Sequence, residues 1–371
     1  MGKINLVFVM TSCKKCGPVN QTLNIIKNID KNKYNISLIT IYSETEYSML
    51  DEYRKNVDNY YHVNLSKIDI ILNNTKSIKS LLGKIKPDII HSVGVFPNYL
   101  ISKIKKYKHI FTLRNYLYDD FIPLYGKIRG NLLAKLQLYA IKNSDKVVTC
   151  SKSLKDIYWN KLKLDFDYIQ NGTDINKFCV CKDKKKIRKK LNLDSEKIIF
   201  VFSGLLISRK NVDFLIDNFI KALNDKNCIL LILGDGEEFL NLTNKYKQFN
   251  NVIFKGNVDN VNEFLSASDI CVSSSKSEGL PNSILEAMSC GNAVLLSNIS
   301  QHLELLESSD LNVGFSFDLN DSKDLISKLK KIIDDNYSLM GTNSRKVVEE
   351  NFSDKKMSIN YQNLYEKVIN K

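Results

Sequence analysis

The stretch "SSSKSEGLPNSILEAMSCG", Ser273 to Gly291, decides the fold of this 371-residue chain. It leaves the short apolar run "ICVSS", crosses a Gly/Pro loop and enters a segment with helical spacing that Gly291 closes. That is a strand, a turn and a helix in succession. Ser-x-x-Glu at Ser283 to Glu286 predicts a capping box at the helix start, and the glycine past the last turn predicts its end. The same unit recurs along the chain. The runs "INLVFVM", "ISLITIY", "DIIHSVG", "HIFTL" and "KVVTCS" stand in the first half, and "KIIFVFSG", "CILLILGDG", "NVIFKG", "ICVSS" and "AVLLS" in the second. Between them lie amphipathic stretches such as Val19 to Ile29 and Leu132 to Ile141. Runs that are apolar throughout, alternating with helices, predict parallel sheets covered on both faces. The fold class is α/β, with two Rossmann-like domains.

A single core stops growing efficiently near about 250 to 300 residues, so the length also implies two domains. Hydrophobic residues make up 43% and charged residues 26%, with five prolines, which excludes disordered and collagen-like chains. The boundary is expected in "IQNGTDINKFCVCKDKKKIRKKLNL", where an Asn-Gly turn meets a charge run. This gives a first domain over 1–175, a second over 176–355 and a closing helix over 356–371. The basic block Lys182 to Lys190 reads as the solvated face of a short connecting helix.

The net charge is +13, and it is unevenly placed. Residues 1–175 hold 27 basic and 15 acidic side chains, while residues 176–371 hold 27 and 26. A basic first half points to an anionic partner, such as a membrane surface, a phosphorylated acceptor or nucleic acid, or to a Lys- and Asn-rich background composition with no partner. The leading run Ile4 to Met10 lacks a small-x-small cleavage site and reads as a buried strand. No run approaches the length of a membrane span. The expected location is cytoplasmic, with the eight cysteines as reduced thiols.

Open α/β sheets bind ligands at the carboxyl ends of their strands, so the loops there carry the candidate chemistry. Glu278 in the Gly/Pro loop and Glu286 in the helix can converge on one polyol. The helix start between them offers N–H groups to a phosphate. "FVFSGLLISRKN" places Arg209 and Lys210 beyond Gly204, a cation pair suited to a diphosphate. "LLILGDGEE" adds Gly234 and Gly236 in a tight turn. Asp119-Asp120 and Asp235-x-Glu237 supply no oxygen cage for a divalent cation, so no metal and no cofactor is expected.

In this order, "SGLLISRKN", "LILGDGEEFL", "VIFKGNVDNVNEFLSASDICVSSS" and "SEGLPNSILEAMSCGNAVLLS" resemble the donor half of GT-B glycosyltransferases of family four, the retaining group with a Glu-x7-Glu signature. The resemblance covers nearly the whole chain and is strongest from Ile198 to Ser297. It implies two Rossmann-like domains facing a central cleft, with a C-terminal helix returning to the first. It also implies transfer of a hexosyl group from a nucleotide-sugar donor, UDP-linked, to a glycan or lipid-linked acceptor in cell-envelope polysaccharide synthesis. By the same resemblance Glu286 would hold the ribose and Glu278 the donor sugar. Gly279, Leu280 and Pro281 would approach sugar and phosphate, Lys210 and Arg209 would hold the diphosphate beside Gly204, and Asn257 and Val258 would flank the base. Many members carry Arg directly after the glycine equivalent to Gly204. Here that position is Leu205, and the charge falls to Arg209.

In the first half the resemblance rests on "PDIIHSVGVFPNYL", "FTLRNYLYDDF", "VVTCSKSL" and "IQNGTDINKF". Where relatives carry a Thr-x-His, this chain reads Thr112-Leu113-Arg114, which makes Arg114 a charge stabiliser rather than a base. His91 reads as a packing or hydrogen-bonding residue, and Asn115, Asp119 and Asp120 as weaker acceptor-side candidates. Cys13-x-x-Cys16 stands where a redox pair would sit, yet a zinc site would need two further ligands. The implied ligand residue of that turn is Gly17, at the mouth of the first helix. "LYGKIRGNLLAKLQLYAIK", with Lys127, Arg129, Lys135 and Lys142 among Leu and Tyr, fits peripheral contact with an anionic membrane or an ordinary surface helix. A sugar-nucleotide epimerase and a non-catalytic basic module binding membrane or nucleic acid are the competing classes.

Overall fold

The computed structural model describes residues 2–66, 69, 75–224 and 226–370. They form two compact units, one made of residues 1–171 with 354–371 and the other of residues 172–353. The division falls inside the predicted Asn-Gly turn, a few residues from 175/176.

The first unit carries seven strands: β1 (Ile4–Met10), β2 (Tyr34–Thr40), β3 (Asn59–His62), β4 (Ile89–Val93), β5 (Lys108–Leu113), β6 (Lys146–Thr149) and β7 (Asp167–Tyr168). Their order is β3-β2-β1-β4-β5-β6-β7, parallel throughout. The second unit carries β8 (Ile198–Ser203), β9 (Cys228–Leu233), β10 (Val252–Gly256), β11 (Ile270–Ser273), β12 (Ala293–Ser297) and β13 (Gly314–Phe317). Their order is β10-β9-β8-β11-β12-β13, again parallel. Each order reverses direction once, between β1 and β4 and between β8 and β11. Crevices at such reversals are where open parallel sheets take ligands.

Burial follows the sequence pattern. All six residues of β9 are buried, and the helix Val212–Leu223 covers the sheet with Val212, Leu215, Ile216, Phe219 and Leu223, the spacing of one helical stripe. Each such side chain stabilises the unit by about 1.5 to 3 kcal/mol. In the first unit the helix Asp354–Ile369 buries Met357, Tyr361, Tyr365 and Val368 in the core that also holds Phe8 and Ile26. Ser358 Oγ donates to the Ile25 carbonyl at 2.8 Å, and Tyr365 Oη meets His91 Nδ1 at 2.9 Å. Burial first, then the charge of Arg114, pushes His91 down to about 3, so it is a neutral packing residue.

Several expectations need correction. The helix after β11 is Asn282–Ser289, and its N-cap is Pro281, with no side-chain cap hydrogen bond. The proline ring presets the entry, and the Pro281 carbonyl accepts from Leu285 N at 3.2 Å. Ser283 is thus already helical and Glu286 lies two residues beyond the capping-box position. The predicted stop holds: Gly291, with φ +83°, donates to Met288 O and Asn292 N reaches Ala287 O, the paired bonds of a Schellman end. The basic block forms the helix Lys184–Lys190, but Arg188 turns inward, donating to the carbonyls of Ala267, Ser195 and Lys197 and to Asp269 at 2.6 Å. The stretch expected as Leu132 to Ile141 belongs to Leu117–Asn143, which is broken at Gly126 (φ 75°).

Candidate active site

The site grows from the reversal between β8 and β11. After β8 the chain makes one turn of 3-10 helix, Ser208–Lys210, and leaves it through Asn211 in the left-handed region. After β11 it runs through three buried serines, Ser273 to Ser275. Ser274 Oγ donates to the carbonyls of Lys210 and Asn211, at 3.0 and 2.9 Å, and Lys276 N donates to Arg209 O at 2.9 Å. The two loops are therefore stitched together before their charged side chains are considered.

Those side chains meet on Glu278. Lys210 Nζ stands 2.5 Å from Oε1, and Arg209 Nη1 stands 3.2 Å from Oε2 while also donating to the Ser277 carbonyl. The Glu278 side chain is 8% exposed, Lys210 13% and Arg209 22%. Burial works to raise the Glu278 carboxyl, but the charges of Lys210 and Arg209 and the hydrogen bond from Lys210 outweigh it and hold it at about 2. It is a buried carboxylate with one cation on each oxygen.

Glycines let the neighbouring loops close beneath this group. A Cβ on Gly234 (φ +137°) would stand 1.9 Å from Gly204 O, and one on Gly236 would stand 2.5 Å from Leu206 O. Only glycine permits that approach. Gly204 N donates to Leu233 O, Leu206 N to Asp235 O and Gly234 N to Gly256 O, joining the ends of β8, β9 and β10. Asn257 and Val258 follow directly at that same edge. Leu205 is exposed.

The structure thus gathers Gly204, Arg209, Lys210 and Glu278 at one point. Gly279, Leu280 and Pro281 lead from Glu278 into the helix that carries Glu286, which is half-buried. Gly17 and Arg114 belong to the other unit. Gly17 is the first residue of the helix Gly17–Lys27 behind β1, and its φ is not positive. Arg114 follows β5 and donates from Nη1 to Asn171 Oδ1 at 2.6 Å. Cys13 is buried with its backbone N–H on the Glu44 carboxylate, and both Cys13 and Cys16 are free thiols. Asp119 pairs with Lys161, and Asp235 accepts from Gly236 N. Among the described residues no group of three or more His, Cys, Asp or Glu side chains is placed to hold a metal ion.

One residue escaped the sequence reading. His302, after β12, is fully buried; its Nδ1 lies 3.0 Å from the Ser297 carbonyl, which can only accept, so Nδ1 carries the proton. Ser297 Oγ in turn donates to Ser275 O at 2.7 Å, tying this pair to the loop of Glu278. Burial, joined by Lys210 and opposed by Glu278 and by the bond to Ser297, pushes His302 down to about 4. Scanning the loop after "AVLLS" with the same rule as the others would have found it.

Two parallel Rossmann-like sheets, with a buried cation–carboxylate cluster at the strand reversal of the second, are the architecture of the GT-B fold. Residues 17–177 match the family model "Glycosyltransferase Family 4" and residues 183–352 match "Glycosyl transferases group 1", so the chain carries two glycosyltransferase domains in succession. The O-antigen biosynthesis glycosyltransferase WclY of Escherichia coli is 28% identical over 98% of each chain. The UDP-Gal:alpha-D-GlcNAc-diphosphoundecaprenol alpha-1,3-galactosyltransferase of Escherichia coli is 26% identical over 99% of this chain and 90% of that one. Among solved structures, Anabaena HepE in complex with UDP-glucose matches with a TM-score of 0.79 at 17% identity, over 98% of this chain and 100% of that one.

Proposed function

We propose that this glycosyltransferase moves a hexosyl group, with retention, from a UDP-sugar to a glycan or lipid-diphosphate-linked acceptor in cell-envelope polysaccharide synthesis. The observation that carries the donor half is Glu278, buried between Lys210 and Arg209 and eight residues ahead of Glu286. A carboxylate accepts sugar hydroxyls, two fixed cations accept a diphosphate, and Glu286 accepts the ribose hydroxyls. Charge grows on the leaving diphosphate as the glycosidic bond breaks, so Lys210 and Arg209 stabilise the transition state more than the ground state. Gly204, Gly279, Leu280 and Pro281 supply close backbone, and Asn257 and Val258 stand by the base. Gly17 and Arg114 serve from the first unit, with Arg114 stabilising charge. No metal is assigned a role. UDP is supported by the galactosyltransferase relative and by the HepE complex, and the lipid-linked acceptor by that galactosyltransferase.

A panel of UDP-, GDP-, ADP- and dTDP-sugars, read by thermal shift, tests the donor. A ligand at a hundred times its dissociation constant contributes about 2.7 kcal/mol, a clear rise in Tm. A shift confined to UDP-sugars is expected; a shift with none of them would refute the donor site.

For the acceptor side, the segment 121–144 contains no acidic residue, and its Leu124, Tyr125, Ile128 and Leu132 are exposed, Ile128 at 88%, beside Lys127, Arg129, Lys135 and Lys142. Among the described residues no helix is long and apolar enough to cross a membrane. This surface suits peripheral contact with anionic lipid at the inner face of the membrane. Flotation with anionic but not neutral liposomes is the expected outcome, weakened in Ile128→Glu; indifference to lipid charge would remove the membrane from the scheme.

A further inference from the structure

We propose that Glu278 is the internal counter-ion of the diphosphate site, competing with the nucleoside diphosphate for Lys210 and Arg209 and so favouring its departure once the sugar has gone. The inference rests on the donor-site reading above and adds to it a role in product release.

Both carboxylate oxygens are committed, Oε1 to Lys210 at 2.5 Å and Oε2 to Arg209 at 3.2 Å. All three side chains are largely withdrawn from water, so counterions screen them little. The loop that carries the two cations is held in place. Their backbone is pinned by Ser274 Oγ on the carbonyls of Lys210 and Asn211 and by Lys276 N on the carbonyl of Arg209. His302, the other titratable group whose field bears on Glu278, is neutral and offers no replacement charge.

A diphosphate drawn to the same two cations therefore brings its negative charge against Glu278. An intact nucleotide-sugar compensates, because its hydroxyls donate hydrogen bonds to the carboxylate. A nucleoside diphosphate has no sugar to donate them, and it carries more negative charge. The carboxylate thus discriminates donor from product by repelling the product more strongly, which is specificity through an unfavourable contact.

Calorimetric titration of wild type and Glu278→Gln with UDP and with inorganic pyrophosphate tests this. The amide keeps the shape and removes the charge. The variant is expected to bind both about tenfold tighter than wild type, which corresponds to about 1.4 kcal/mol, while a UDP-sugar gains less or weakens. Unchanged or weaker binding of UDP and pyrophosphate by a folded Glu278→Gln overturns the counter-ion role and leaves the donor site standing. Failure of the wild type to bind any of UDP, GDP, ADP or dTDP overturns the donor site itself. If Glu278→Gln does not fold, Glu278→Asp draws the charge one methylene back from the cations and is expected to tighten UDP by a smaller factor; unchanged binding there overturns the proposal equally.

Discussion

Lys210 Nζ stands 2.5 Å from Glu278 Oε1, although 68 residues separate the two in the chain. The pair exists because β8 and β11 are neighbours in the sheet, and each turns toward the other at its carboxyl end. Removing one partner of such a pair leaves the other charge buried, and that asymmetry sets the first expectation. Lys210→Met should destabilise the second unit by about 3 kcal/mol and lower turnover by about a hundredfold or more. Arg209→Met, at the more exposed end, should cost less in both. Denaturant midpoints and steady-state rates measure the two effects, and equal costs for both variants would contradict the geometry.

Glu286→Ala tests the proposed ribose contact. Glu286 is half-buried within the helix Asn282–Ser289. A hydrogen bond to a charged acceptor contributes about 1.5 to 3 kcal/mol, so nucleotide affinity should fall by roughly ten- to a hundredfold. Calorimetric titration with UDP would show it. Retained affinity would place the ribose elsewhere.

Acid should weaken the protein in two stages. His91 and His109 are pushed by burial to about 3, and His302 to about 4, each below the ordinary 6.5. The unfolded chain therefore takes up protons on these residues first. Their stabilising contribution is complete above pH 6.5 and is lost as pH falls toward those lower values, at up to about 1.4 kcal/mol per pH unit for each. Glu278, held at about 2 against 4.5, contributes above pH 4.5 and loses that contribution as pH falls through 2. Urea midpoints at about pH 7, 6 and 5 should already decline before carboxylates titrate. A flat response over that range would contradict the buried neutral histidines.

Gly234→Ala tests the floor of the site. The methyl carbon would fall 1.9 Å from Gly204 O, and φ of +137° is unfavourable for alanine in any case. The loops after β8 and β9 must separate, so nucleotide binding should be lost, with a cost of about 3 kcal/mol or more to the second unit. Gly83→Ala, where nothing lies within 4 Å of the new carbon, serves as the control. Equal behaviour of the two would show that the close approach is not needed.

The central strands were legible because they are apolar throughout. β1 and β12 run over Ile4–Met10 and Ala293–Ser297 as the sequence predicts, and the remaining runs shift by only one to three residues. Strands β3, β7 and β13 were not. They lie at sheet edges, are short, and β7 is exposed along its length, so no hydrophobic run marks them. Within the site, the residue types were readable from loops after strands, and the union of Lys210, Arg209 and Glu278 on one carboxylate was not. Such a union depends on strand order, which local patterning does not encode. Arg188 shows the same limit, since a run of lysines and arginine gives no sign that one member turns inward to Asp269. Pro281 overruled the Ser283–Glu286 capping signal because a fixed φ sets the start of a helix more firmly than a side-chain hydrogen bond.

The helix Asp354–Ile369 lies on the first unit although it follows the second in the chain. At the crossing, Thr173 N donates to Phe352 O at 2.8 Å, and Thr173 pairs with Ser353 as a parallel bridge. In topological terms the second unit is an insertion whose entry and exit segments run side by side, so all of residues 172–353 are made before the first unit is complete. The first unit must wait. Tyr361 and Tyr365 close over His91 and Phe8 only after the whole insertion has been synthesised, so a chain interrupted before residue 354 would leave the N-terminal unit open at its core.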